Sequence, residues 1–253
     1  MQVVAIIPAR YASTRFPGKP LANLTGKYLI QHVYEQVVAC NSVNRCIVAT
    51  DDERIRSAIE AFGGEVTMTR PDHLSGTDRI AEVAGALPGN SDDIILNVQG
   101  DEPEIEPEHL DRLVARLTAA GDCAVATLAC PFPQDADPAD PNNVKVVCDR
   151  AGRALYFSRS LLPYARDAGV ENSPGNWLLH LGVYAYRRDF LLEMAGWSPG
   201  PLERVEKLEQ LRVLEYGHAI TVEVVDQASV GIDTPADYEH FVIRYRSRGN
   251  ENN

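Results

Sequence analysis

The chain has 253 residues, enough for one large α/β domain or two small ones. Apolar residues make up 45% and charged residues 24%, which excludes a disordered, collagen-like or coiled-coil chain, and the apolar runs fall far short of the ~20 residues that cross a bilayer. The formal net charge of −12 argues against a nucleic-acid partner, because neutralising phosphates requires a basic surface.

The first 120 residues alternate short apolar runs with amphipathic stretches, as repeated βα units do. We predict strands at 3–7, 46–50, 65–69 and 93–98, and helices at 28–40, 52–62, 77–87 and 107–120. Asp51 or Asp52 suits the N-cap of the second helix, and Pro107 suits the first turn of the fourth. This order predicts a parallel, doubly wound sheet, in which ligands collect beyond the carboxyl ends of the strands.

The pattern changes after about residue 121, where β-rich segments replace the alternation. Strands predicted at 123–130, 144–148, 154–158 and 179–186 have hairpin-like spacing and indicate a mixed sheet. A helix is predicted at 202–216, where a Leu or Val at every third residue indicates burial on more than one face. We expect one domain, 1–246, with halves at about 1–121 and 122–246, and a frayed polar tail at 247–253.

Two features concern the cellular compartment. No basic segment precedes the apolar residues 3–7, so we expect no signal peptide and a cytoplasmic location. The five cysteines are odd in number and lack the spacing of a zinc site, which predicts reduced, mostly buried thiols.

Positive charge is concentrated at the start of this acidic chain. The first 34 residues contain Arg10, Arg15, Lys19 and Lys27 but no Asp or Glu. Residues 10–19 follow the first predicted strand and hold three of these cations, and guanidinium, ammonium and loop N–H groups together suit a polyphosphate. An exposed arginine-rich loop remains the alternative, since neither G-x-x-x-x-G-K-[ST] nor G-x-G-x-x-G occurs in the sequence.

Carboxylates follow the fourth predicted strand and recur near the C-terminus. Gly100 permits a sharp bend before Asp101, which is suited to bind Mg²⁺ but equally fits an ordinary turn. Asp233 and Thr234 precede a helix, and on residue type alone an N-cap formed by Asp233 or Thr234 is the favoured interpretation of this segment. Residues 75–78 suit either a helix cap or a nucleobase and ribose contact, and His180, in an apolar strand, is typical of a core histidine.

Five segments, in this order and spacing, resemble the 3-deoxy-manno-octulosonate cytidylyltransferases, also called CMP-KDO synthetases. The segments are IIPARYASTRFPGKP (6–20), NVQGDEP (97–103), ALYFSR (154–159), HLGVY (180–184) and LEQLR (208–212). The resemblance runs from about residue 3 to residue 238. It departs from the family pattern at Tyr28, where the family commonly has Pro, and at residues 225–230.

The resemblance implies a fold and a reaction. The fold is an α/β, Rossmann-like nucleotide-diphospho-sugar transferase fold, with a mostly parallel sheet, helices on both faces and a β-rich dimerisation lobe that forms a homodimer. The reaction transfers CMP from CTP to the anomeric hydroxyl of 3-deoxy-D-manno-octulosonate (KDO) and releases pyrophosphate, with Mg²⁺ as cofactor, for lipopolysaccharide biosynthesis. The first half of the chain would then bind nucleotide, and the second would bind sugar and dimerise.

The same motifs imply residue roles. Catalysis would rest on Arg10, Lys19, Asp101 and Asp233, of which Asp101 and Asp233 would bind Mg²⁺. The nucleotide-binding residues would be Ala9, Arg10, Arg15, Lys19, Arg70, Ser75, Gly76, Thr77 and Asp101. The sugar-binding residues would be Gln99, Arg159, His180, Tyr184, Glu209 and Gln210. Arg159 is the natural partner of the sugar carboxylate.

Two alternatives remain open. The same transfer could act on 8-amino-KDO or another acidic sugar such as a sialic acid, or the chain could be a catalytically silent nucleotide-binding homologue. All three loop cations and both candidate metal ligands are present, which favours an enzyme. In-line attack on the α-phosphorus depends mainly on positioning and charge neutralisation, so no histidine base is required.

Overall fold

The structure, a computed structural model, describes residues 1–12, 14–73, 75–134, 136–167 and 177–251. The strands in chain order are β1 Val3–Ala9, β2 Arg45–Thr50, β3 Val66–Met68, β4 Ile94–Asn97, β5 Val125–Pro131, β6 Lys145–Cys148, β7 Ala154–Ser158, β8 Leu178–Arg187 and β9 Ile220–Val224. The helices are α1 Leu29–Val38, α2 Glu53–Ala61, α3 Gly76–Ala86, α4 Pro107–Ala119, α5 Arg188–Ala195, α6 Pro201–Glu206, α7 Gln210–Glu215 and α8 Pro235–Glu251. Within the ranges given above, no helix is both long enough and apolar enough to cross a membrane.

The chain forms two compact units. The first contains Met1–Gly89, Ile95–Leu110 and the C-terminal segment from Ser229, and the second contains Asn90–Ile94 and Asp111–Ala228. The C-terminal segment therefore belongs to the first unit. The predicted division near residue 121 would have placed it in the second. Helix α8 continues to Glu251, through most of the segment expected to fray.

The first unit is built on the predicted parallel strands. Its strand order is β3–β2–β1–β4, and β1 is parallel to β2, as β2 is to β3. Asp52 caps α2 by accepting a hydrogen bond from the Arg54 N–H, and α4 begins at Pro107, as predicted. Helix α8 packs Tyr238 and Phe241 into one apolar cluster with Leu29 of α1.

The second unit is a mixed sheet. Strand β5 lies between antiparallel β8 and parallel β9, and β6 pairs antiparallel with β7 and β8. This arrangement confirms the predicted mixed sheet after residue 121 and, with the parallel first unit, the α/β fold class. Strand β9 and helix α5 were not predicted. None of the five cysteines, all of which lie in the described ranges, forms a disulfide, and four are buried, as expected for reduced thiols.

The predicted helix at 202–216 is wrong as a single element. Lys207 adopts a left-handed backbone conformation with φ 54°, which ends α6 before α7 begins. The helical face therefore does not continue from α6 into α7. Val205 is 83% exposed, whereas Leu208 and Leu211 are buried, so the predicted burial of the whole leucine series was also wrong.

Candidate active site

Residues 10–19, called the basic loop below, follow β1 directly, and a backbone hydrogen bond joins Tyr11 to Gly18 within this loop. Gly18 has φ +71°, a conformation that favours glycine, and its N–H donates to the Tyr11 carbonyl at 3.0 Å. A Cβ on Gly18 would lie 3.1 Å from the Tyr11 ring, so a side chain there would press on the ring. This turn leads into a short 3-10 helix at Lys19–Leu21, and the Lys19 side chain is only 13% exposed.

Close backbone approach brings Asp101 to this loop. A Cβ on Gly100 would lie 3.0 Å from the Pro8 carbonyl oxygen, so only glycine fits without a shift of the chain. The next residue, Asp101, places Oδ2 2.7 Å from Lys19 Nζ. The sharp bend predicted at Gly100 is thus a close contact with the end of β1.

A distant segment completes the cluster. The Ile232 N–H donates to the Asp101 carbonyl at 2.9 Å, and Lys19 Nζ donates to the Ile232 carbonyl at 2.7 Å. These bonds place Asp233 Oδ1 3.9 Å from Lys19 Nζ and 2.9 Å from Arg15 Nη2. Two carboxylates from remote parts of the sequence therefore face one ammonium group.

Thr234, not Asp233, caps α8. The Thr234 hydroxyl accepts from the Asp237 N–H at 3.2 Å, while the Asp237 carboxylate accepts from the N–H groups of Thr234 and Asp233 at 2.7 and 3.0 Å. This reciprocal pattern is a capping box. Of the two residues predicted to cap this helix, Thr234 is confirmed, and the Asp233 carboxylate is directed to Arg15 and Lys19 instead.

Arg10 joins the end of β1 to the segment after β3. Its Nη2 donates to the carbonyls of His73 at 2.5 Å and Ser75 at 3.2 Å. The Ser75 hydroxyl accepts from the Asp78 N–H at 3.0 Å, so Ser75 caps α3, and Gly76 and Thr77 form its first turn.

Two further predicted nucleotide residues differ in exposure. Ala9 is buried at the end of β1. Arg70 is exposed, and its Nε lies 3.5 Å from Glu82 and 3.8 Å from Asp72, so neighbouring carboxylates already share its charge.

The Lys19 cluster, which consists of Lys19, Arg15, Asp101 and Asp233, contains carboxylate oxygens of the kind that bind a divalent cation. No group of three or more His, Cys, Asp or Glu side chains in the described part of the chain is placed to hold a metal ion. Mg²⁺, however, is commonly held by one or two carboxylates together with substrate phosphates. Asp101 and Asp233 already share the Lys19 ammonium, so the two carboxylates fit such an ion.

Five of the six predicted sugar residues lie in the second unit, and Gln99 lies in the first, two residues before Asp101. His180 Nε2 is 3.0 Å from Thr127 Oγ1, and its ring stacks edge-on against Phe157. Burial lowers the pKa of His180 to about 3, so the imidazole is neutral near pH 7. Tyr184 lies next to it, with ring centroids 5.6 Å apart.

The other residues of this group offer polar atoms. Burial, together with the charge of Glu209, raises the pKa of Tyr184 well above its ordinary value, so the phenol stays protonated. Gln210 is 5% exposed, and its Nε2 has no hydrogen-bond partner among the described residues. A buried amide without a partner is costly, which suits a group that a polar ligand completes.

Arg159 is oriented by neutral groups. Its Nε donates to the Glu206 carbonyl at 2.7 Å and its Nη1 to the Pro141 carbonyl at 2.9 Å. Across the described ranges, no carboxylate forms an ion pair with its guanidinium. The charge is therefore held in place without being neutralised, as a carboxylate-binding arginine requires.

Sequence reasoning missed two supporting contacts. The Arg54 guanidinium lies 3.3 Å from the Tyr11 ring centroid, and Asp52 pairs with Arg54 at 2.6 Å, so the basic loop is tied to the start of α2. No local pattern signals that contact. Lys145, which donates to the Arg159 carbonyl, could have been found as a lysine between two valines in a predicted strand.

The fold and the carboxylate and cation cluster are those of a nucleotidyltransferase, and a family model described as Cytidylyltransferase matches residues 4–220. The 3-deoxy-manno-octulosonate cytidylyltransferase of Syntrophotalea carbinolica is 50% identical over 242 residues, which cover 94% of this chain and 96% of that protein. The enzyme of the same name from Geobacter metallireducens is 51% identical over 249 residues, covering 96% and 97%. This chain belongs to the 3-deoxy-manno-octulosonate cytidylyltransferase family, which confirms the resemblance.

Solved structures agree with this family. A structure of CMP:2-keto-3-deoxy-manno-octonic acid synthetase complexed with CTP has a TM-score of 0.90 and 42% identity, covering 98% of this chain and 100% of that one. The 4-diphosphocytidyl-2C-methyl-D-erythritol synthase of Anaerococcus prevotii has a TM-score of 0.63 at 12% identity, covering 97% and 98%, and shares the fold alone.

Proposed function

We propose that this chain transfers CMP from CTP to the anomeric hydroxyl of KDO, giving CMP-KDO and pyrophosphate, for lipopolysaccharide biosynthesis. The observation that carries the proposal is the Lys19, Asp101, Asp233 and Arg15 cluster, formed by loops at the ends of β1 and β4 and by the segment before α8. Relatives at about half identity over nearly the whole chain bear the name of this activity.

The nucleotide would bind through residues of the first unit. Arg10, Arg15 and Lys19 supply the positive charge that a triphosphate requires. Arg15 is largely exposed, so its guanidinium is accessible to a phosphate while it remains paired with Asp233. Ala9, with Ser75, Gly76 and Thr77 at the start of α3, would contact cytidine, and Arg70 would lie outside these contacts unless it left Glu82.

Asp101 and Asp233 would hold Mg²⁺. When bound, a divalent cation neutralises charge on the α-phosphate and lowers the pKa of the attacking hydroxyl. The two aspartates would supply the oxygen ligands. Lys19 and Arg15 pair with the carboxylates of Asp101 and Asp233 and so keep these two carboxylates close together.

The sugar would bind through Arg159, His180, Tyr184, Glu209 and Gln210, with Gln99. Arg159 would receive the sugar carboxylate, since its guanidinium is oriented but not neutralised. His180 stays neutral because burial lowers its pKa, so it acts as a hydrogen-bonding group and not as a base near pH 7. Gln210 offers its unpartnered amide to a hydroxyl.

The reaction is a single displacement. The anomeric oxygen forms a bond to the α-phosphorus, the bond from the α-phosphorus to the bridging oxygen breaks, and the hydroxyl proton passes to solvent. Cations around the phosphates stabilise the charge that accumulates on the departing pyrophosphate.

Pyrophosphate release tests the proposal when CTP, UTP and ATP are each combined with KDO, 8-amino-KDO and N-acetylneuraminate. We expect CTP with KDO to give the fastest release. Preference for 8-amino-KDO would favour the alternative substrate, and CTP binding without release from any sugar would favour a silent homologue.

We also propose a cytoplasmic homodimer. Sedimentation at micromolar concentration tests the assembly, and a single species of 27.8 kDa would contradict it.

A further inference from the structure

Lys145 is a fully buried lysine at the start of β6, with a relative exposure of 0%. Its Nζ donates to the carbonyls of Arg159 at 2.6 Å and Asp140 at 3.2 Å, and it forms no ion pair in the part of the chain that the structure describes. Burial lowers the pKa of this ammonium. A buried ammonium whose hydrogen bonds go only to backbone carbonyls is a costly way to fill a core position, which points to a task other than stability.

The two carbonyls that Lys145 binds belong to a closed ring of hydrogen bonds. Asp140 precedes Pro141, whose carbonyl accepts from Arg159 Nη1 at 2.9 Å. The Arg159 carbonyl then returns to Lys145 Nζ. One ammonium therefore fixes both the backbone of Arg159 and the loop that aims the Arg159 guanidinium.

Within the described part of the chain, the other hydrogen bonds of Arg159 are made to a single residue. Glu206 accepts from the Arg159 backbone N–H at 3.0 Å through Oε2, and its carbonyl accepts from Arg159 Nε at 2.7 Å. Strand pairing sets Lys145 opposite Ser158, and the Ser158 hydroxyl donates to Glu206 Oε1 at 2.5 Å. Arg159 is thus held from the Lys145 side and from the Glu206 side. The loop at Asp140 has local hydrogen bonds of its own, and Lys145 Nζ ties this loop to the backbone of Arg159.

We propose that Lys145 is a positioning residue that sets the selectivity of this protein for sugars bearing a carboxylate, by holding Arg159 in the orientation that receives that group. This inference rests on the proposed function. Without Lys145, the half-buried Arg159 carbonyl loses its Nζ donor and the Asp140 carbonyl keeps only the Asn143 N–H at 3.1 Å, so the Arg159 backbone is no longer joined to the loop that carries the Pro141 acceptor. The binding of CTP, assigned to residues of the first unit, should not change.

Steady-state kinetics on the full chain test the proposal with Lys145→Met, which keeps the length of the side chain and removes the donor. We expect the KM for KDO to rise about 10- to 100-fold, as small misplacements of a binding group do, while the KM for CTP stays within about twofold. The preference for KDO over its methyl ester, which lacks the negative charge, should fall by a similar factor. Lys27→Met, at an exposed lysine paired with Glu35, is the matched control and should leave both KM values unchanged.

A purely structural role gives a different result. If Lys145→Met lowers the melting temperature but leaves the KM for KDO and the preference over the ester unchanged, or raises both KM values equally, the proposal is overturned. If Lys145→Met does not fold, Lys145→Gln, which keeps one donor group, is judged by the same criteria. A wild-type chain that releases no pyrophosphate from CTP and KDO refutes the proposed function itself, whereas an active wild type with an unaltered variant refutes only the role of Lys145.

Discussion

The two groups of candidate site residues differ in what their cationic side chains bind. In the first unit, Lys19 and Arg15 are paired with Asp101 and Asp233, and both members of the Arg15 to Asp233 pair are more than half exposed. In the second unit, Arg159 is bound to carbonyl groups. The exposed ion pair of Arg15 with Asp233 rearranges at little cost, whereas the half-buried Arg159 is held by hydrogen bonds from both Nε and Nη1 to fixed backbone carbonyls.

This difference matches the two proposed substrates. A triphosphate with a divalent cation brings many charges, so the residues that receive it must exchange partners. A monoanionic sugar brings one charge, and selectivity then depends on a group whose orientation is fixed before binding.

The largest expected effect comes from removing the carboxylates of the first unit. Asp101→Asn and Asp233→Asn should each lower kcat by orders of magnitude, and the double variant should be little worse than either, because both disable one shared cation site. Thr234 caps α8, so Asp233→Asn should leave the melting temperature close to wild type. Pyrophosphate release at saturating Mg²⁺ measures the effect, and near wild-type release by Asp233→Asn would leave Asp101 as the sole supported ligand.

Lys19→Ala tests whether Mg²⁺ can replace the Lys19 ammonium between the carboxylates of Asp101 and Asp233. The sequence alone suggests an exposed substitution with little effect on stability, but Lys19 is largely buried and hydrogen-bonded to Asp101 and the Ile232 carbonyl. We expect the KM for CTP to rise at least about tenfold and the free energy of unfolding to fall by about 1–2 kcal/mol. Mg²⁺ should then raise the melting temperature of the variant more than that of wild type, because two like charges lack a counterion.

An equal response of the two proteins to Mg²⁺ would show that Asp101 and Asp233 do not form a shared cation site. Ca²⁺ and Na⁺ at matched ionic strength separate a specific divalent effect from general screening.

Gly18→Ala tests how far the basic loop depends on its turn, with Gly26→Ala as the matched control. Both glycines have positive φ, +71° and +88°, so alanine should cost each about 1 kcal/mol or more of unfolding free energy. Only Gly18 faces a neighbour, the Tyr11 ring, whereas a Cβ on Gly26 would meet nothing within 4 Å. Gly18→Ala should therefore also raise the KM for CTP several-fold, and equal KM values for the two variants would show that the turn does not position Lys19.

Local patterns in the sequence predicted most of the fold. The apolar runs that became β1 and β2 and the capped helix α2 were found within a few residues, because burial and capping act locally. The break at Lys207 was missed because its left-handed conformation occurs in a residue that carries no signal for it. An N-cap at Asp233 or Thr234 was predicted, and the capping-box pattern that Thr234 forms with Asp237 could have decided between the two.

The site could be predicted only in part. The cations of residues 10–19 are adjacent in sequence, so their shared chemistry is visible there. The meeting of Asp101 with Asp233 depends on the Ile232 N–H bond to the Asp101 carbonyl, which no local spacing encodes, and only the family resemblance suggested it. The hydrogen bonds that link Lys145, Arg159 and Pro141 likewise depend on a loop whose path a single sequence does not specify.

The smallest expected effect concerns pH and the buried residues of the second unit. Burial lowers the pKa of His180 from its ordinary value of 6.5 to about 3. Between these values the unfolded chain binds a proton that the folded chain does not, so the stability contributed by neutral His180 is present above pH 6.5 and is lost as the pH falls. At pH 5 the free energy of unfolding should be about 2 kcal/mol lower than at pH 7.

The variant His180→Gln, which keeps a polar partner for Thr127, should not show this loss of stability at low pH. Both tryptophans, Trp177 and Trp197, lie in the second unit, so urea unfolding followed by fluorescence reports on the unit that contains His180. The wild type should lose more stability than the variant between pH 7 and pH 5, and parallel curves would show that His180 is protonated in the folded chain and is not held neutral by burial.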